Sequence, residues 1–381
     1  MFGGIKLTLL AGRSAPLPAA PGLADSIVSV DVTHQEGERS GFQITFESER
    51  SGLKDLVDYP HLKSFQLRTG NRIVLILTIN YVPRTLFDGI ITHQQHVPSP
   101  DTGRARTIVT GDDISYALDL KEETKEHPAQ DETIIANKLI LSYAQFGLIP
   151  IVVPPFLIDP PIPLERIPMQ VQKTDLAFLN LMACRYGYVF YITPGPAPLM
   201  NTAYWGPPRR FGWPQSALSM NMGAASNLKS IQFENDALKT ERINGYVQDR
   251  YTNTSMPVKT FVPFRIPLSA MPSAVMNYAD TRERTMTGHG GLNYMQAYAR
   301  AQGATDAASD EVVTATGELD GARYGNILWP RKLVGVRGVG YTYDGIYYVK
   351  KVTHKIKKGE YTQGFTLTRD GVGSLTPVVP P

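Results

Sequence analysis

Cysteine is almost missing: Cys184 is the single one in 381 residues. One thiol excludes an intrachain disulfide framework and any multi-cysteine zinc or iron–sulfur centre. It permits a reducing compartment and says nothing further about location. Long apolar runs are missing too. The longest, "RIVLILTIN" at 72–80, has the length of a strand and falls far short of the roughly 20 apolar residues of a membrane helix. Charge of one sign is scarce. Lys plus Arg number 38 and Asp plus Glu 35, a net +3, which is too little to imply nucleic acid by itself. Near the N-terminus, "IKLTLL" is broken by Lys6 and is too short for the apolar core of a signal peptide, so it reads as a first strand.

Glycine and proline are plentiful, at 33 and 29, which favours a β-rich, loop-rich fold over a helical bundle. The first 115 residues alternate as strands do. In "GFQITFESE" (41–49), Phe42, Ile44 and Phe46 share one face, and "RIVLILTIN" suits a strand covered on both sides. Five or six short strands with turn residues between them suggest a small barrel or sandwich.

The character changes near 115. "DETIIANKLILSYAQFGL" (131–148) carries Ile135, Leu139, Tyr143 and Phe146 at helical period, stopped by Gly147. Seven prolines follow between 150 and 168, so that stretch is expected to be extended and packed down. In "TDLAFLNLMACRYG" (174–187), Thr174 or Asp175 can cap a helix whose stripe is Leu176, Leu179, Ala183 and Tyr186. "YVFYI" continues as a strand, and a second Pro/Trp-rich loop spans 194–214. Strands return from 228, in "LKSIQFEND" and "RINGYVQDRYT". A weakly patterned excursion (about 252–310) holds one helix candidate, with Met295, Tyr298 and Ala299 on one side. Three strands close the chain, followed by an extended tail at 372–381.

One pattern is written twice. "FDGIITHQQ" begins at Phe87 and "YDGIYYVKK" at Tyr343. Each has Asp-Gly (Asp88, Gly89; Asp344, Gly345), and fifteen residues after each Asp comes a glycine, Gly103 and Gly359. This reads as an internal duplication; the competing reading is that Asp-Gly is a common turn dipeptide repeated by chance.

No constellation for catalysis emerges. His93 and His96 stand three apart, on opposite faces of a strand. Cys184 lies beside an apolar stripe with no histidine near it in sequence, as an inert buried thiol would. Asp112 and Asp113 are adjacent and face opposite ways, while Glu122, Glu123 and Glu126 could share a helix face as solvated charges. "GHGG" (288–291) has no preceding strand or following Lys/Ser, and "GVRGVG" (335–340) opens no helix, so neither is a phosphate or dinucleotide loop. Between 331 and 370 nine basic residues face three acids. Lys350, Lys351, Lys357 and Lys358 flank a hairpin tip there. A solvated hairpin, a protein–protein surface and a nucleic-acid clamp all remain open for them.

Taken in order, "LFDGIIT", "TIVTGDDISYALD", "DETIIANKLILSYAQFGL", "TDLAFLNLMACRYGYVFYI" and "GVGYTYDGIYYVKKVTHKI" resemble the phage late control protein D family. That family includes the central baseplate hub of contractile tails and the hub part of VgrG-type proteins. The resemblance covers roughly 70–375 and implies an α+β, β-rich chain. Its plan would be a first tube-like β-barrel (1–115), an α/β insert with Pro-rich loops (116–227), and a second tube-like barrel (228–251 and 311–371) interrupted by a smaller helical excursion (252–310). It implies a homotrimer whose six barrels meet a hexameric tail-tube protein on one side and a trimeric spike on the other. Baseplate wedge and tape-measure proteins are further implied partners, and assembly in the bacterial cytoplasm is implied. With the sequence stopping at 381, the spike is expected to be a separate chain. Neither a cofactor nor a metal, membrane insertion nor catalysis is expected. The Pro/Trp loops 149–168 and 194–214 do not map onto the family pattern. A tail-associated cell-wall hydrolase and a basic nucleic-acid-binding β-protein are the readings from other classes.

Overall fold

Alternation at Phe42, Ile44 and Phe46 puts all three side chains in one core, because successive side chains of a strand point to opposite faces. The computed structural model describes residues 4–13, 16–49, 64–98, 104–155, 168–249, 251–287 and 291–376. The first β-unit comprises β1 (Lys6–Gly12), β2 (Leu17–Pro18), β3 (Ile27–Gln35), β4 (Gly41–Glu49), β5 (Arg72–Ile79), β6 (Val82–Pro98) and β7 (Arg104–Asp113). Its main strands run in the spatial order β3-β4-β7-β6-β5-β1, antiparallel throughout. Ile73, Val74 and Leu75 of β5 are all buried, as a strand covered on both faces requires.

The next segment contains β8 (Glu122–Glu126), α1 (Glu132–Leu141), β9 (Leu148–Val152), β10 (Met169–Thr174), α2 (Asp175–Arg185), β11 (Val189–Pro194) and β12 (Asn201–Gly206). Asp131 caps α1 by accepting from the Ile134 amide, and Thr174 caps α2 by accepting from the Ala177 amide. The stripe of α2 is buried as its spacing predicts, with Phe178 and Met182 added to it. The helix expected over 131–148 is shorter. It ends at Leu141, and Ala144–Phe146 form a separate tight turn before Gly147, whose φ is 78°. Glu122, Glu123 and Glu126 share no helix face; they lie on β8, antiparallel to β10. Strand β12 pairs with β11 on one side and with β9, in parallel, on the other. Pro150 therefore sits on an edge strand, where its missing N–H costs little. Of the Pro-rich stretch, 156–167 lies outside the described residues.

The remainder contains β13 (Gln215–Ser219), β14 (Leu228–Asn235), β15 (Glu241–Gln248), β16 (Ser255–Lys259), β17 (Met271–Pro272), β18 (Arg282–Thr285), α3 (Tyr294–Ser309), β19 (Val313–Asp320), β20 (Leu333–Arg337), β21 (Gly345–Lys357), β22 (Glu360–Arg369) and β23 (Gly371–Val372). The segment Glu241–Gln248, expected in the second β-unit, does not join it: β15 pairs with β16 and β18 in a sheet of its own, and α3 packs on that sheet. Of the three α3 residues placed on one side, Tyr298 and Ala299 are half-buried and pack against apolar cores. Ala297, Ala301 and Thr305 are buried, and Met295 is exposed. Small side chains permit close approach, and Ala297, Ala301 and Gly303 are buried here together with Gln296 and Gln302.

Strands β14, β19, β22, β21, β20 and β13 lie side by side in that order. Matched by position along the chain, this is the strand order of the first β-unit. Strand β3 corresponds to β14, β4 to β19, β7 to β22, β6 to β21, β5 to β20 and β1 to β13. The four central pairings are antiparallel in both units. The outermost differs, since β1 runs antiparallel to β5 while β13 runs parallel to β20. Each unit has its own apolar core, one around Phe46, Leu75 and Phe87, the other around Val334, Tyr347 and Phe365. A third core fills the α1–α2 segment around Leu179 and Trp205. The chain is thus an α+β, β-rich fold in which one sheet of thirteen strands runs through both units.

Candidate assembly interface

The sheet is continuous because β21 is long enough to serve two neighbours on one edge. Its first residues, Gly345–Tyr348, pair with β20. Beyond a one-residue bulge at Lys350, residues Lys351–Lys357 pair with β3. The two halves of the chain therefore meet as adjacent strands, with main-chain hydrogen bonds supplying the contact. Thr33 and Thr353, opposite each other on this ladder, share a hydroxyl hydrogen bond of 3.2 Å.

On the inner face of the junction stand two buried histidines. The Nε2 of His34 lies 3.0 Å from the Leu86 carbonyl, and Nδ1 of His354 lies 2.9 Å from the Tyr361 hydroxyl. The rings pack edge to face at 5.9 Å. Burial, reinforced by nearby Arg331, pushes His34 down to about 3, and burial holds His354 well below the usual histidine range. Both are neutral at physiological pH, so His34 donates its Nε2 proton to the carbonyl.

Around the rim, buried charges lock the other segments to the junction. Arg331 is 4% exposed. Its guanidinium stacks over Tyr191 at 4.1 Å and donates to the Gln35 carbonyl at 2.7 Å. Tyr348 donates to Glu36, and Lys350 pairs with Glu311. Burial raises the Glu36 carboxyl against the pull of Tyr348, Arg331 and Lys350. Arg210 reaches Asp310 at 2.7 Å, and Arg265 pairs with the same carboxylate. Glu36, Arg210, Arg265, Asp310, Tyr348 and Lys350 line a cavity of about 380 Å³ where both β-units, the α1–α2 segment and the excursion meet. Cys184 lies on its wall and is exposed, contrary to the buried thiol expected.

The repeated hairpins lie on the corresponding strands β6 and β21, though not on the same rung. Asp88 precedes the bulge at Thr92 by four residues, whereas Asp344 precedes the bulge at Lys350 by six. Their chemistry differs as well. Asp88, beside Phe87 and Gly89, is fully buried against Arg72. Asp344 accepts from the Val339 amide and holds a turn before Gly345. Tyr343 stacks on Phe233 at 4.6 Å. Gly359 (φ 80°) sits in the two-residue turn between β21 and β22; Gly103 lies outside the described residues. The four lysines are divided. Lys350 is engaged with Glu311 and Lys351 is half-buried, while Lys357 and Lys358 are exposed at the hairpin tip, where Lys358 donates to the Asp25 carbonyl at 3.0 Å. His93 is exposed and His96 half-buried, on opposite faces. Asp113 caps the turn after β7 by accepting from the Ser115 amide, and Asp112 faces Arg39. Of the "GHGG" stretch, 288–290 lies outside the described residues.

The residues that make the junction, His34, His354, Arg331 and Glu36, escaped sequence reasoning. One signal was present. His354 sits between Val352 and Ile356 at period two, which places it on the core face of β21.

No protein-family model matches the chain, and no curated protein matches it in sequence. Solved structures do match. A tail protein from Neisseria meningitidis aligns over 97% of this chain and 98% of its own, with TM-score 0.64 and 16% identity. The 43 kDa tail protein of prophage MuSo2 from Shewanella oneidensis aligns over 97% and 100%, with TM-score 0.64 and 12% identity. The E. coli c3393 protein, a type VI secretion system component, aligns over 90% and 73%, with TM-score 0.54 and 13% identity. At such identities the likeness is one of fold: this chain has the fold of phage tail proteins, shared with a type VI secretion component.

Proposed function

We propose that this chain is the structural hub of a contractile-tail or injection-system baseplate. It would be a homotrimer that joins a hexameric inner tube to a trimeric spike, without catalysis. The observation that carries this reading is the repeated strand order. Two β-units of one topology, multiplied by a three-fold axis, make a ring of six similar elements. Such a ring can meet six-fold symmetry on one face and three-fold symmetry on the other. The likeness to phage tail proteins over nearly the whole chain supports it. The twin units arise in this reading by duplication, with the 236–312 region inserted between the second and third strands of the second copy. The Asp-Gly hairpins and the exposed Lys357 and Lys358 then belong to the ring's contact surface.

The charged groups around the central cavity pair with one another, as suits a clamp between segments better than a site with a free acid or nucleophile. Native mass spectrometry tests the reading. A species of three chain masses is expected, and an image down its axis should count six β-units. A monomer at the highest measurable concentration would overturn the hub.

A further inference from the structure

A second cavity of about 380 Å³ opens where α2, β18 and α3 meet. Its size falls in the range of small-molecule pockets. Arg185 at the end of α2, Arg284 on β18 and Arg300 on α3 stand on its wall, joined by the hydroxyls of Thr285 and Thr287. Among the described residues no carboxylate lines it.

The acids that hold these arginines lie off the wall. Glu132 reaches Arg185 at 3.7 Å and Arg300 at 3.9 Å, while Glu241 reaches Arg284 at 3.4 Å and Arg282 at 3.7 Å. Four guanidiniums thus share two carboxylates, at distances well beyond the 2.7 Å at which Arg72 meets Asp88. Glu283 does not redress the balance. Strand alternation turns it to the other face of β18 from Arg282 and Arg284, and it pairs with Arg242 at 3.4 Å. Positive charge is left over at the cavity, and a recessed wall of one sign draws counter-ions.

We infer that this cavity binds a small phosphate-type oxyanion carrying at least two negative charges, a diphosphate or a phosphate ester. A dianion matches the charge left by four arginines over two carboxylates. The three guanidiniums on the wall come from three separate elements, which suits the several directions of a tetrahedral oxyanion better than the single plane of a carboxylate. The guanidinium fork fits phosphate oxygens, and the two threonine hydroxyls can donate to those that remain. An anion held by all three elements fastens the excursion to the α1–α2 segment, beside the close backbone contact of Gly187 with Gly303. Binding therefore stabilises the folded chain by mass action. The site belongs to a single chain, so it stands or falls apart from the hub reading.

Equilibrium dialysis of the full chain against labelled inorganic pyrophosphate tests this. A single class of site is expected at low ionic strength, weakening as salt rises. Arg284 is exposed and leaves Glu241 paired with Arg282, so Arg284→Gln should fold and bind at least about tenfold more weakly, the worth of one charge-assisted hydrogen bond. Lys357→Gln, at the hairpin tip, should bind as the parent does. Cys184 supplies a second readout, since it is the single thiol, is exposed and lies on the same wall. Its alkylation should favour anionic iodoacetate over neutral iodoacetamide more than a free cysteine peptide does, and pyrophosphate should reduce that preference. Displacement of the label by free phosphate or by a nucleoside monophosphate supports the class and names the source. No retention of pyrophosphate by the folded chain overturns the site, as does equal retention in Arg284→Gln. A single-stranded oligonucleotide that displaces the label at lower concentration than either small anion overturns the small-ligand assignment in favour of a nucleic-acid backbone.

Discussion

Arg72 grips Asp88 with two parallel hydrogen bonds, Nε to Oδ1 at 2.7 Å and Nη2 to Oδ2 at 2.8 Å. The same guanidinium donates to the carbonyls of Phe146 and Leu199, and Asn201 donates to Asp88. One ion pair on β5 and β6 thereby fastens the α1–α2 segment to the first β-unit. Breaking a buried pair by removing one charge leaves the other uncompensated, at a cost of about 3–5 kcal/mol. Asp88→Asn is expected to lose that much in equilibrium denaturation. Arg72→Lys should not rescue, because an ammonium cannot reproduce the planar fork. A loss under about 1 kcal/mol, the size of an exposed pair, would show that the anchor is dispensable.

Arg331 has a second anchoring task and an unusual backbone, with φ at 62°. Its contacts reach Gln35 in the first unit and both Tyr191 and Ile192 in the α1–α2 segment, so a single side chain ties three parts together. Arg331→Ala is expected to cost about 2–4 kcal/mol, from the lost stacking and the buried carbonyls left unpaired. Arg331→Gly relieves the left-handed backbone and should be the milder of the two. Thermal melts of the two variants decide the order; hydrogen exchange at the β3–β21 ladder should accelerate in both.

Much of this fold was legible where one physical pattern dominates a segment. Strand alternation marked β4, a continuous apolar run marked β5, and the 3.6-residue stripe with its Thr174 cap marked α2. The junction was not legible. Alternation states that Val352 and His354 have an inner side; it does not say that the strand beside them is β3, more than three hundred residues earlier. The Asp-Gly repeat falls on β6 and at the start of β21, on rungs two residues apart, and a bulge shifts register without leaving a sequence mark. The buried face of α3 left little signal because it is made of Ala, Gly, Ser, Thr and Gln, which periodicity scales weight lightly. Glu122–Glu126 carry helix-favouring residues, yet pairing with β10 overrode that local preference.

The histidine pair makes the junction sensitive to acid. Unfolded, each ring takes a proton near its ordinary 6.5; folded, His34 resists until about 3 and His354 is also strongly depressed. Above 6.5 neither contributes a pH dependence. As pH falls from 6.5 towards 3 the unfolded state binds protons that the folded state cannot, and stability drops by up to about 1.4 kcal/mol per pH unit for each ring. Glu36 and Asp113 act in the opposite sense, since burial raises both carboxyls and their protonation in acid favours the fold. The test is therefore a difference. The loss of denaturation midpoint between pH 7.5 and 5 should be smaller in His354→Gln than in the parent chain. An equal loss in both would show that His354 is not excluded from protonation.

Two glycines should respond to alanine in opposite degree, for separable reasons. Gly303 on α3 crosses the end of α2 so closely that an added Cβ would lie 2.3 Å from the Tyr186 carbonyl carbon, and across the same gap a Cβ on Gly187 would lie 2.2 Å from the Gly303 oxygen. Backbone meets backbone there, so relief requires the two helices to separate. Gly359, in the β21–β22 turn, has open space around its missing Cβ and only its φ of 80° to resist substitution. A left-handed residue costs about 1–2 kcal/mol when it carries a Cβ, whereas overpacking a rigid contact costs about 3 kcal/mol or more. Gly303→Ala is thus expected to lose more stability than Gly359→Ala. Asn, which tolerates the left-handed region, should rescue position 359 and worsen position 303. Equal losses at the two sites would mean that α2 and α3 can part without cost, and that the contact between the excursion and the α1–α2 segment is loose.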